Sequence, residues 1–289
     1  MEYTTYLSAE ELSEHLGDPS WAIFDCRFSL EEPSQGYQEY LKTHIPGASY
    51  VNLNLDLSGE VIEGKTGRHP LPEVQVFIEK LSDWGINHQT QVIAYDDRGG
   101  AIAARLWWML RWMGHERAAV LNGGWSAWEK SGYPTEVKES SKGRGQFKPE
   151  VHPEYLVNLQ FVDQIRLGPN FLLIDARAPE RFWGLEEPID PIAGHIPGAI
   201  SAPFSENLDQ DGFFLSDDLL RERYHNLLGD YPSDKTVLYC GSGVTSIHNI
   251  ISMVRAGYEM PKLYVGSWSE WITDPNRPIG PQDNSKEKV

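Results

Sequence analysis

Cysteine is scarce in this sequence, since Cys26 and Cys240 are the two that occur among 289 residues. Two thiols are too few for the disulfide framework of a small secreted domain, and they cannot form a zinc site made of cysteine ligands alone. The scarcity therefore excludes both kinds of scaffold and favours a reducing compartment.

Basic residues and long apolar runs are scarce as well. The chain has 25 Lys and Arg against 42 Asp and Glu, which gives a formal net charge of -17. Such a charge repels nucleic acids and anionic membrane surfaces, so neither is expected as a partner. No stretch approaches the roughly 18 apolar residues of a membrane helix, and no signal-peptide pattern stands at the N-terminus. We expect a soluble, cytoplasmic protein without a membrane span.

The length and the aromatic content favour two globular domains. A chain of 289 residues suits two domains of roughly 100 to 150 residues each. Hydrophobic residues make up 40% of the chain and include 10 Trp, 13 Tyr and 10 Phe. Each half can therefore bury a substantial core.

The same elements occur twice along the chain, in the same order. Residues 22–27 read AIFDCR and residues 172–177 read LLIDAR, each an apolar run that ends in Asp-X-Arg. The pentapeptide HIPGA occupies residues 44–48 and again residues 195–199. A spacing near 150 residues is too long for a solenoid and indicates a duplicated domain.

Two further pairs extend the repeat. QVIAYD at residues 91–96 matches TVLYC at residues 236–240, a buried strand followed in each half by a loop that contains glycine. NGGWSAW at residues 122–128 matches VGSWSEW at residues 265–271. The tryptophans recur at matching places in both halves, so they are expected to pack in the cores rather than to stack on a ligand.

Strands alternate with helical patterns in each half, for example at residues 101–113 and 245–256. This alternation predicts an α/β fold, in which each of two similar domains is a parallel sheet with helices on both faces. A polar segment with two Gly and two Pro separates the halves and predicts a linker. The predicted division is residues 1–138, a linker at 139–153, a second domain at 154–277 and a tail at 278–289.

Cys240 ends a strand and opens the run CGSGVT, which precedes a helical pattern. Gly241 and Gly243 permit the backbone angles of a tight loop, so that amides, including those of Val244 and Thr245, can face the sulfur as an anion nest. Such donors, together with the helix dipole, lower the pKa of a cysteine from about 8.5 to roughly 3.5–7.5. The pattern predicts a nucleophilic thiolate at a site where strand ends gather ligands.

A buried, inert thiol is the alternative interpretation of Cys240, because free cysteine is among the most buried residue types. The repeat argues for the catalytic interpretation. At the equivalent point the first half has Asp96, in YDDRGG, which keeps the strand and the loop but has no thiol. One catalytic half and one half without a nucleophile is the simplest interpretation.

The duplicated elements, the first half without a catalytic thiol and the CGSGVT loop together resemble the tandem-domain rhodanese-like proteins, in particular the 3-mercaptopyruvate sulfurtransferases. The resemblance covers roughly residues 5–277. It implies two rhodanese-like domains, an active loop from Cys240 to Thr245 and a site in the cleft between domains. It also implies that Cys240 takes sulfur from a small anionic donor and passes it, as a persulfide, to cyanide or to a thiol such as thioredoxin or glutathione. No metal or organic cofactor is implied.

The loop composition favours 3-mercaptopyruvate over thiosulfate as the donor. Thiosulfate-preferring members carry basic residues in this loop, where this chain has Gly241, Ser242 and Gly243. The hydroxyl of Ser242 can hydrogen-bond the keto oxygen and the enolate that forms as sulfur leaves. Arg177 and Arg181, in DARAPERF, are the candidates for binding the donor carboxylate, although either can form a structural salt bridge instead.

Three further residues are possible members of the site. By resemblance, the first HIPGA histidine lies near the loop serine in a proton relay, which implies a role for His44. His195 occupies the matching place in the other half, which equally suggests a structural role. Arg68 and His69, in TGRHPLP, either reach toward the cleft or pack within their own loop. Cys26 lies beside the first Asp-X-Arg element and is expected to be structural.

Two competing functions remain beside a thiosulfate:cyanide sulfurtransferase. A cysteine phosphatase also has an anion-binding loop, but its loop has an arginine six positions after the cysteine, where this chain has Ser246. A non-catalytic rhodanese-fold binding protein keeps the fold without turnover, since a fold does not determine a function. Such proteins usually lack the active thiol, whereas Cys240 is present together with its glycines.

Overall fold

The computed structural model describes residues 2–140 and 142–280, so residues 281–289 of the predicted tail lie outside the described residues. The strands are β1 (Tyr6–Leu7), β2 (Trp21–Asp25), β3 (Ala48–Tyr50), β4 (Gln91–Tyr95), β5 (Ala118–Leu121), β6 (Leu156–Val157), β7 (Leu172–Asp175), β8 (Ala199–Ser201), β9 (Thr236–Tyr239) and β10 (Lys262–Tyr264). The helices are α1 (Ala9–Ser13), α2 (Gln35–Lys42), α3 (Val74–Asp83), α4 (Ala103–Trp112), α5 (Gly124–Lys130), α6 (Leu159–Ile165), α7 (Pro179–Phe182), α8 (Asp217–Leu228), α9 (Ser246–Arg255) and α10 (Ser267–Trp271). Short 3-10 helices cover Pro153–Tyr155, Phe204–Asn207 and Ser233–Lys235.

Two five-stranded sheets carry the fold. The strand order is β1-β5-β4-β2-β3 in the first sheet and β6-β10-β9-β7-β8 in the second, which is the same order once the repeat is taken into account. All the paired strands are parallel. The predicted duplication of an α/β domain with a parallel sheet is confirmed.

The central strands are buried along their whole length. Every residue of β2 and β4 is buried in the first sheet, and the same holds for β9 in the second. Because successive side chains of a strand point to opposite faces, a strand buried at every residue has both faces covered. This explains why the sequence shows continuous apolar runs at these strands rather than an alternating pattern. The core clusters include Trp125 and Trp128 in the first half and Trp268 and Trp271 in the second.

The chain divides by its contacts into two compact units. Unit 1 comprises Met1–Gly59, Leu71–Pro153 and Asp209–Phe214. Unit 2 comprises Glu60–Pro70, Glu154–Leu208 and Leu215–Val289. These units differ from the predicted ranges in four ways. The predicted linker 139–153 is part of unit 1, and residues 278–280 of the predicted tail are part of unit 2. Residues 60–70 of the first repeat belong to unit 2, and residues 209–214 of the second repeat belong to unit 1. A repeat alignment cannot reveal such an exchange, because it assigns each residue to its own copy.

The repeated helices begin in the same way. Ser8 caps α1 by accepting a hydrogen bond from the amide of Glu11, whose carboxylate accepts the amide of Ser8 in return, at 2.7 Å. Asn158 caps α6 by accepting the amide of Phe161 at 2.9 Å. Both caps satisfy amides that a helix start leaves without partners, so each first strand passes directly into a helix. Of the helices in the described part of the chain, none is long and apolar enough to span a bilayer.

Candidate active site

Cys240 lies at the carboxyl end of β9, where a short loop leads into α9. Burial raises the pKa of its thiol, but hydrogen bonds from the Thr245 hydroxyl and from the amides of Ser242 and Ser246 contribute to an opposing effect that outweighs burial, so the pKa is lowered overall. The residue is 1% exposed. The loop therefore stabilises a thiolate in a place from which bulk water is almost excluded.

The four loop residues after Cys240 that were predicted to supply amides differ in backbone conformation, burial and contacts. Gly243 has a φ of +73°, and a Cβ built on it would lie 2.3 Å from the carbonyl oxygen of Val265, so this position requires glycine. Val244 is buried. Thr245 contributes through its hydroxyl. Gly241 follows the thiol directly and lies against two guanidinium groups, described below.

Ser242 and His69 form a buried hydrogen-bonded pair. The distance between Ser242 Oγ and His69 Nδ1 is 2.8 Å, and both residues are almost completely buried. His69 belongs to the segment Glu60–Pro70, which is part of unit 2. A hydroxyl hydrogen-bonded to an imidazole can exchange a proton with it, and the structure brings these two separately predicted residues into contact.

Two arginines lie against the residue that follows the thiol. A Cβ built on Gly241 would lie 2.9 Å from Arg68 Nη2 and 3.4 Å from Arg181 Nη2. Arg68 Nη1 donates to Asp190 Oδ1, and Arg181 Nη2 donates to Asp190 Oδ2 at 2.9 Å. Arg181 Nε donates to Glu187 Oε1 at 3.0 Å. Two guanidinium groups and two carboxylates thus stand beside the loop with no formal net charge.

Arg177 has partners that differ from the predicted donor carboxylate. Its Nε and Nη2 bind Asp175 at 2.6 to 3.1 Å, and Nη2 also donates to the carbonyl oxygen of Gly194 at 2.6 Å. Its guanidinium stands 4.9 Å from the ring centroid of Trp268, and the residue is 2% exposed. Arg27 binds the aspartate at the end of its own strand in the same way. Arg177 Nη1 also lies 3.4 Å from Oε2 of Glu187, the carboxylate that Arg181 binds. The Arg-Asp pair recurs in unit 1, which favours a structural role, and binding of the donor carboxylate by Arg177 stays a prediction.

The two HIPGA histidines also have matching structural partners. His44 Nδ1 lies 2.7 Å from the carbonyl oxygen of Tyr40, and His44 Nε2 lies 3.2 Å from that of Lys138. His195 Nδ1 lies 2.9 Å from the carbonyl oxygen of Phe182. Each ring stacks on the aromatic residue that it bonds, with centroids 3.9 Å apart. The residue hydrogen-bonded to Ser242 is His69, and a role for His44 near the loop serine stays a prediction.

The loop of unit 1 that matches the Cys240 loop is closed around a carboxylate. Asp96 Oδ1 accepts the amides of Arg98 and Gly100, each at 2.8 Å. Asp96 Oδ2 accepts those of Ile102 at 2.7 Å and Ala103 at 2.8 Å. In unit 1, the carboxylate of Asp96 therefore occupies a nest of amides like the one that the sequence predicts around the sulfur anion in unit 2.

Cys26 is the other thiol of the chain, and it is fully buried. Burial raises its pKa well above the ordinary value, and the charges of Asp25 and Asp96 act in the same direction. A thiol of this kind is not a nucleophile. Within residues 2–140 and 142–280, no group of three His, Cys, Asp or Glu side chains is arranged to hold a metal ion.

Sequence reasoning missed several residues around the loop. Asp190 and Glu187 lie between the repeated Asp-X-Arg and HIPGA elements of the second half, where no repeated element points to them. Ser246 was named only as the position where a phosphatase has arginine, although its place directly after CGSGVT marks it as a helix-start amide near the sulfur. The repeat also has GGW in the first half where the second half has GSW, and this difference marks Ser267.

Comparison with known proteins gives consistent matches over nearly the whole chain. The rhodanese-like domain family matches residues 8–131 and again residues 159–274. A protein of Pseudomonas aeruginosa named "Probable 3-mercaptopyruvate sulfurtransferase" is 46% identical over 285 residues, which cover 98% of this chain and 100% of that protein. The thiosulfate sulfurtransferase of Rattus norvegicus is 31% identical, with 93% of this chain and 92% of that protein covered.

A solved structure matches the fold of the chain. The 3-mercaptopyruvate sulfurtransferase from Leishmania major superposes with a TM-score of 0.79 at 33% sequence identity. The match covers 93% of this chain and 74% of that one. Similarity in both sequence and structure therefore extends across both repeats.

Proposed function

Because the chain belongs to the tandem-domain rhodanese-like sulfurtransferases, we propose that it transfers sulfane sulfur from 3-mercaptopyruvate to an acceptor through a persulfide on Cys240. The observation that carries the proposal is a cysteine thiol that is almost completely buried yet surrounded by hydrogen-bond donors of its own loop, which lower its pKa. Burial alone disfavours a thiolate, so hydrogen bonds arranged around the sulfur must stabilise the anion. The same donors suit a persulfide anion.

In the first step, the Cys240 thiolate attacks the sulfur of the donor. An S–S bond forms while the C–S bond of the donor breaks, and the electron pair of that bond leaves with the carbon as the enolate of pyruvate. Ser242 donates a hydrogen bond to the enolate oxygen, where negative charge develops. His69, which is hydrogen-bonded to Ser242, takes up the proton of the donor thiol and returns it to the enolate, so that pyruvate leaves and Cys240 carries a persulfide anion.

Arg68 and Arg181 bind the carboxylate of the donor. Both guanidinium groups lie against Gly241, next to the thiol. Arg68 Nε is buried and has no hydrogen-bond partner within the described residues, so this donor is available to an anion. Because the charges of this cluster already balance, a bound carboxylate leaves one excess negative charge and a dianion such as thiosulfate leaves two, so the cluster disfavours the dianion more.

In the second step, an acceptor removes the outer sulfur. A thiol such as thioredoxin or glutathione, or cyanide, attacks that sulfur, and the electron pair of the S–S bond returns to Cys240 as a thiolate. Because Cys240 is 1% exposed, side chains beside the loop must move for either reactant to reach it. We place the reaction in the cytoplasm, where the free thiols of the chain stay reduced.

Intact mass after exposure to 3-mercaptopyruvate tests the proposal. We expect a gain of one sulfur atom, about 32 mass units, which a thiol acceptor then removes. Cys240→Ala should abolish the gain and Cys26→Ala should keep it, since the Cys26 thiol is buried and has a raised pKa. A gain that persists in Cys240→Ala contradicts the proposed carrier.

A thiosulfate:cyanide sulfurtransferase is the second candidate, because the relative from Rattus norvegicus is named for that donor. The comparison of kcat/KM for the two donors separates the candidates. A preference for thiosulfate above about tenfold, which equals roughly 1.4 kcal/mol of transition-state binding, overturns the choice of 3-mercaptopyruvate.

A further inference from the structure

Ser267 has an unusual backbone conformation. Its φ is +54°, and within the described residues it is the one non-glycine residue with a positive φ. A side chain in the left-handed region brings Cβ too close to the following carbonyl group, so such a conformation persists only where surrounding contacts impose it. The residue is completely buried, as the first residue of α10. Strain of this kind points to a function for the side chain.

The equivalent residue of unit 1 removes the strain. Gly124 stands at the matching place, as GGW stands against GSW, and its φ is also +54°. A Cβ built on Gly124 would lie 2.2 Å from the carbonyl oxygen of Asp96, so unit 1 requires glycine. The two copies therefore share a backbone conformation that glycine adopts easily, and the copy with the thiol has a serine there.

The hydroxyl of Ser267 binds the backbone of the nucleophile itself. The amide of Cys240 donates to Ser267 Oγ at 3.1 Å, and this hydroxyl donates to the carbonyl oxygen of Tyr264 at 2.9 Å. The carbonyl oxygens of Cys240 and Gly241 accept the amides of Trp268 at 3.0 Å and Ser269 at 2.9 Å. The peptide groups before and after Cys240 are thus both held by hydrogen bonds to Ser267 and Trp268.

The carbonyl contact is common to both units, whereas unit 2 adds the hydroxyl contact. In unit 1 the amide of Trp125 donates to the carbonyl oxygen of Asp96 at 2.8 Å, as the amide of Trp268 does to that of Cys240. Glycine has no side chain with which to bind the amide of Asp96. The additional contact occurs in the copy where the direction of one side chain decides whether a sulfur anion meets its donors.

We infer that Ser267 is a positioning residue, whose hydroxyl fixes the Cys240 peptide so that the sulfur stays directed at the donors of the loop. The inference rests on the proposed function of Cys240. Hydrogen bonds weaken steeply as their geometry departs from linearity, so a small rotation of this peptide weakens the bonds that stabilise the thiolate. The left-handed serine is retained because glycine, which relieves the strain, removes the hydroxyl.

Two substitutions separate the hydroxyl from the backbone conformation. Ser267→Ala removes the hydroxyl and keeps a Cβ at positive φ, whereas Ser267→Gly removes both. We expect the glycine variant to melt about 2 °C or more above the alanine variant, because alanine is strained at this φ. We expect both to lose kcat/KM by a similar factor of about tenfold, and the pKa of Cys240, measured by the rate of iodoacetamide alkylation against pH, to rise by about half a unit or more.

Ser252→Ala is the matched control, because Ser252 is also a buried serine of unit 2, and its hydroxyl donates to the carbonyl oxygen of His248 at 2.8 Å. It should leave the alkylation pKa of Cys240 unchanged. The inference is overturned if both Ser267 variants keep the wild-type alkylation pKa of Cys240. It is also overturned if Ser267→Gly regains the wild-type kcat/KM together with its higher melting temperature. Alkylation needs no sulfur donor, so this result is independent of whether Cys240 carries sulfur. If the wild type gains no sulfur mass, only the proposed function fails.

Discussion

Asp190 lies between the two arginines beside the thiol, and its negative charge offsets one of their two positive charges. Arg68 and Arg181 each donate to a different oxygen of its carboxylate. Burial raises the pKa of Asp190, while both arginines favour its charged form. Together with Glu187, the group has no net formal charge while all four side chains are ionised. The carboxylate therefore weakens the attraction of the arginines for a second negative charge on the donor.

At the scale of this residue, Asp190→Asn should shift donor preference toward thiosulfate. The substitution leaves one uncompensated positive charge beside Gly241, which favours a dianion more than a monoanion. We expect the ratio of kcat/KM for thiosulfate to that for 3-mercaptopyruvate to rise by about tenfold. Glu186→Gln, at an exposed neighbouring carboxylate, is the control and should leave the ratio unchanged. An unchanged ratio in Asp190→Asn contradicts the argument from charge balance.

Individual residues of the candidate site could be predicted from sequence where the determinant is local. The run from Cys240 to Thr245 contains two glycines and lies between a strand end and a helix start, an arrangement that brings donors to a sulfur. The partner of Ser242 could not be predicted in this way, because His69 is 173 positions away. Arg177 shows a second limit of the prediction. Its place in the sequence does not reveal that it forms a buried salt bridge with Asp175.

At the scale of the element, the Asp96 loop shows how four amides are organised by one anion. The carboxylate of Asp96 is fully buried and accepts the amides of Arg98, Gly100, Ile102 and Ala103. Hydrogen bonds to a buried charge contribute more to stability than neutral ones. The loop that would otherwise expose amides without partners is thus stabilised by its own chain.

Asp96→Asn should destabilise unit 1 without affecting the chemistry at Cys240. An amide side chain offers one acceptor oxygen in place of two and turns its NH2 group toward backbone amides. We expect a loss of about 2 kcal/mol in the free energy of unfolding, measured by urea denaturation. Asp97→Asn, at the exposed neighbouring carboxylate, should have a much smaller effect. Equal losses in both variants contradict a special role for the nest.

The connection between α4 and β5 contains a buried histidine that makes unit 1 sensitive to acid. Burial lowers the pKa of His115 to about 4, and its Nε2 lies 2.9 Å from the carbonyl oxygen of Thr90. Hydrogen bonds to the backbone of Thr90 and Arg117 raise this pKa but are outweighed by burial, and the charge of His88 lowers it slightly further. In the unfolded chain the pKa returns to about 6.5, so between these values the unfolded chain binds a proton that the folded chain does not.

The free energy of unfolding should therefore fall as the pH is lowered from about 6.5 to about 4, and the contribution of His115 should level off below that. We expect this residue to contribute a loss of about 2 kcal/mol between pH 7 and pH 4.5. Urea denaturation at the two pH values measures it, and His115→Asn should reduce the difference by about that amount. His88→Asn, at an exposed histidine, should not. A pH dependence that is the same in His115→Asn and in the wild type rules out this assignment.

At the scale of the whole molecule, the repeat made the fold predictable and also set the limit of the prediction. Two copies of each strand pattern constrain the alignment of elements, so two similar parallel sheets followed from sequence alone. The same alignment assigned residues 60–70 and 209–214 to the copies that contain them, whereas the structure groups each segment with the other unit. Membership of a unit depends on long-range contacts, which a periodic pattern does not record.

The assignment of residues 60–70 to unit 2 bears on how the duplicated gene can evolve. The first copy has no thiol of its own, yet it encodes Arg68 and His69, which lie beside the cysteine loop encoded by the second copy. A deletion of the first copy would therefore remove an imidazole and a guanidinium from beside the cysteine loop. Selection on the second copy thus preserves the first, even though the first has no nucleophile.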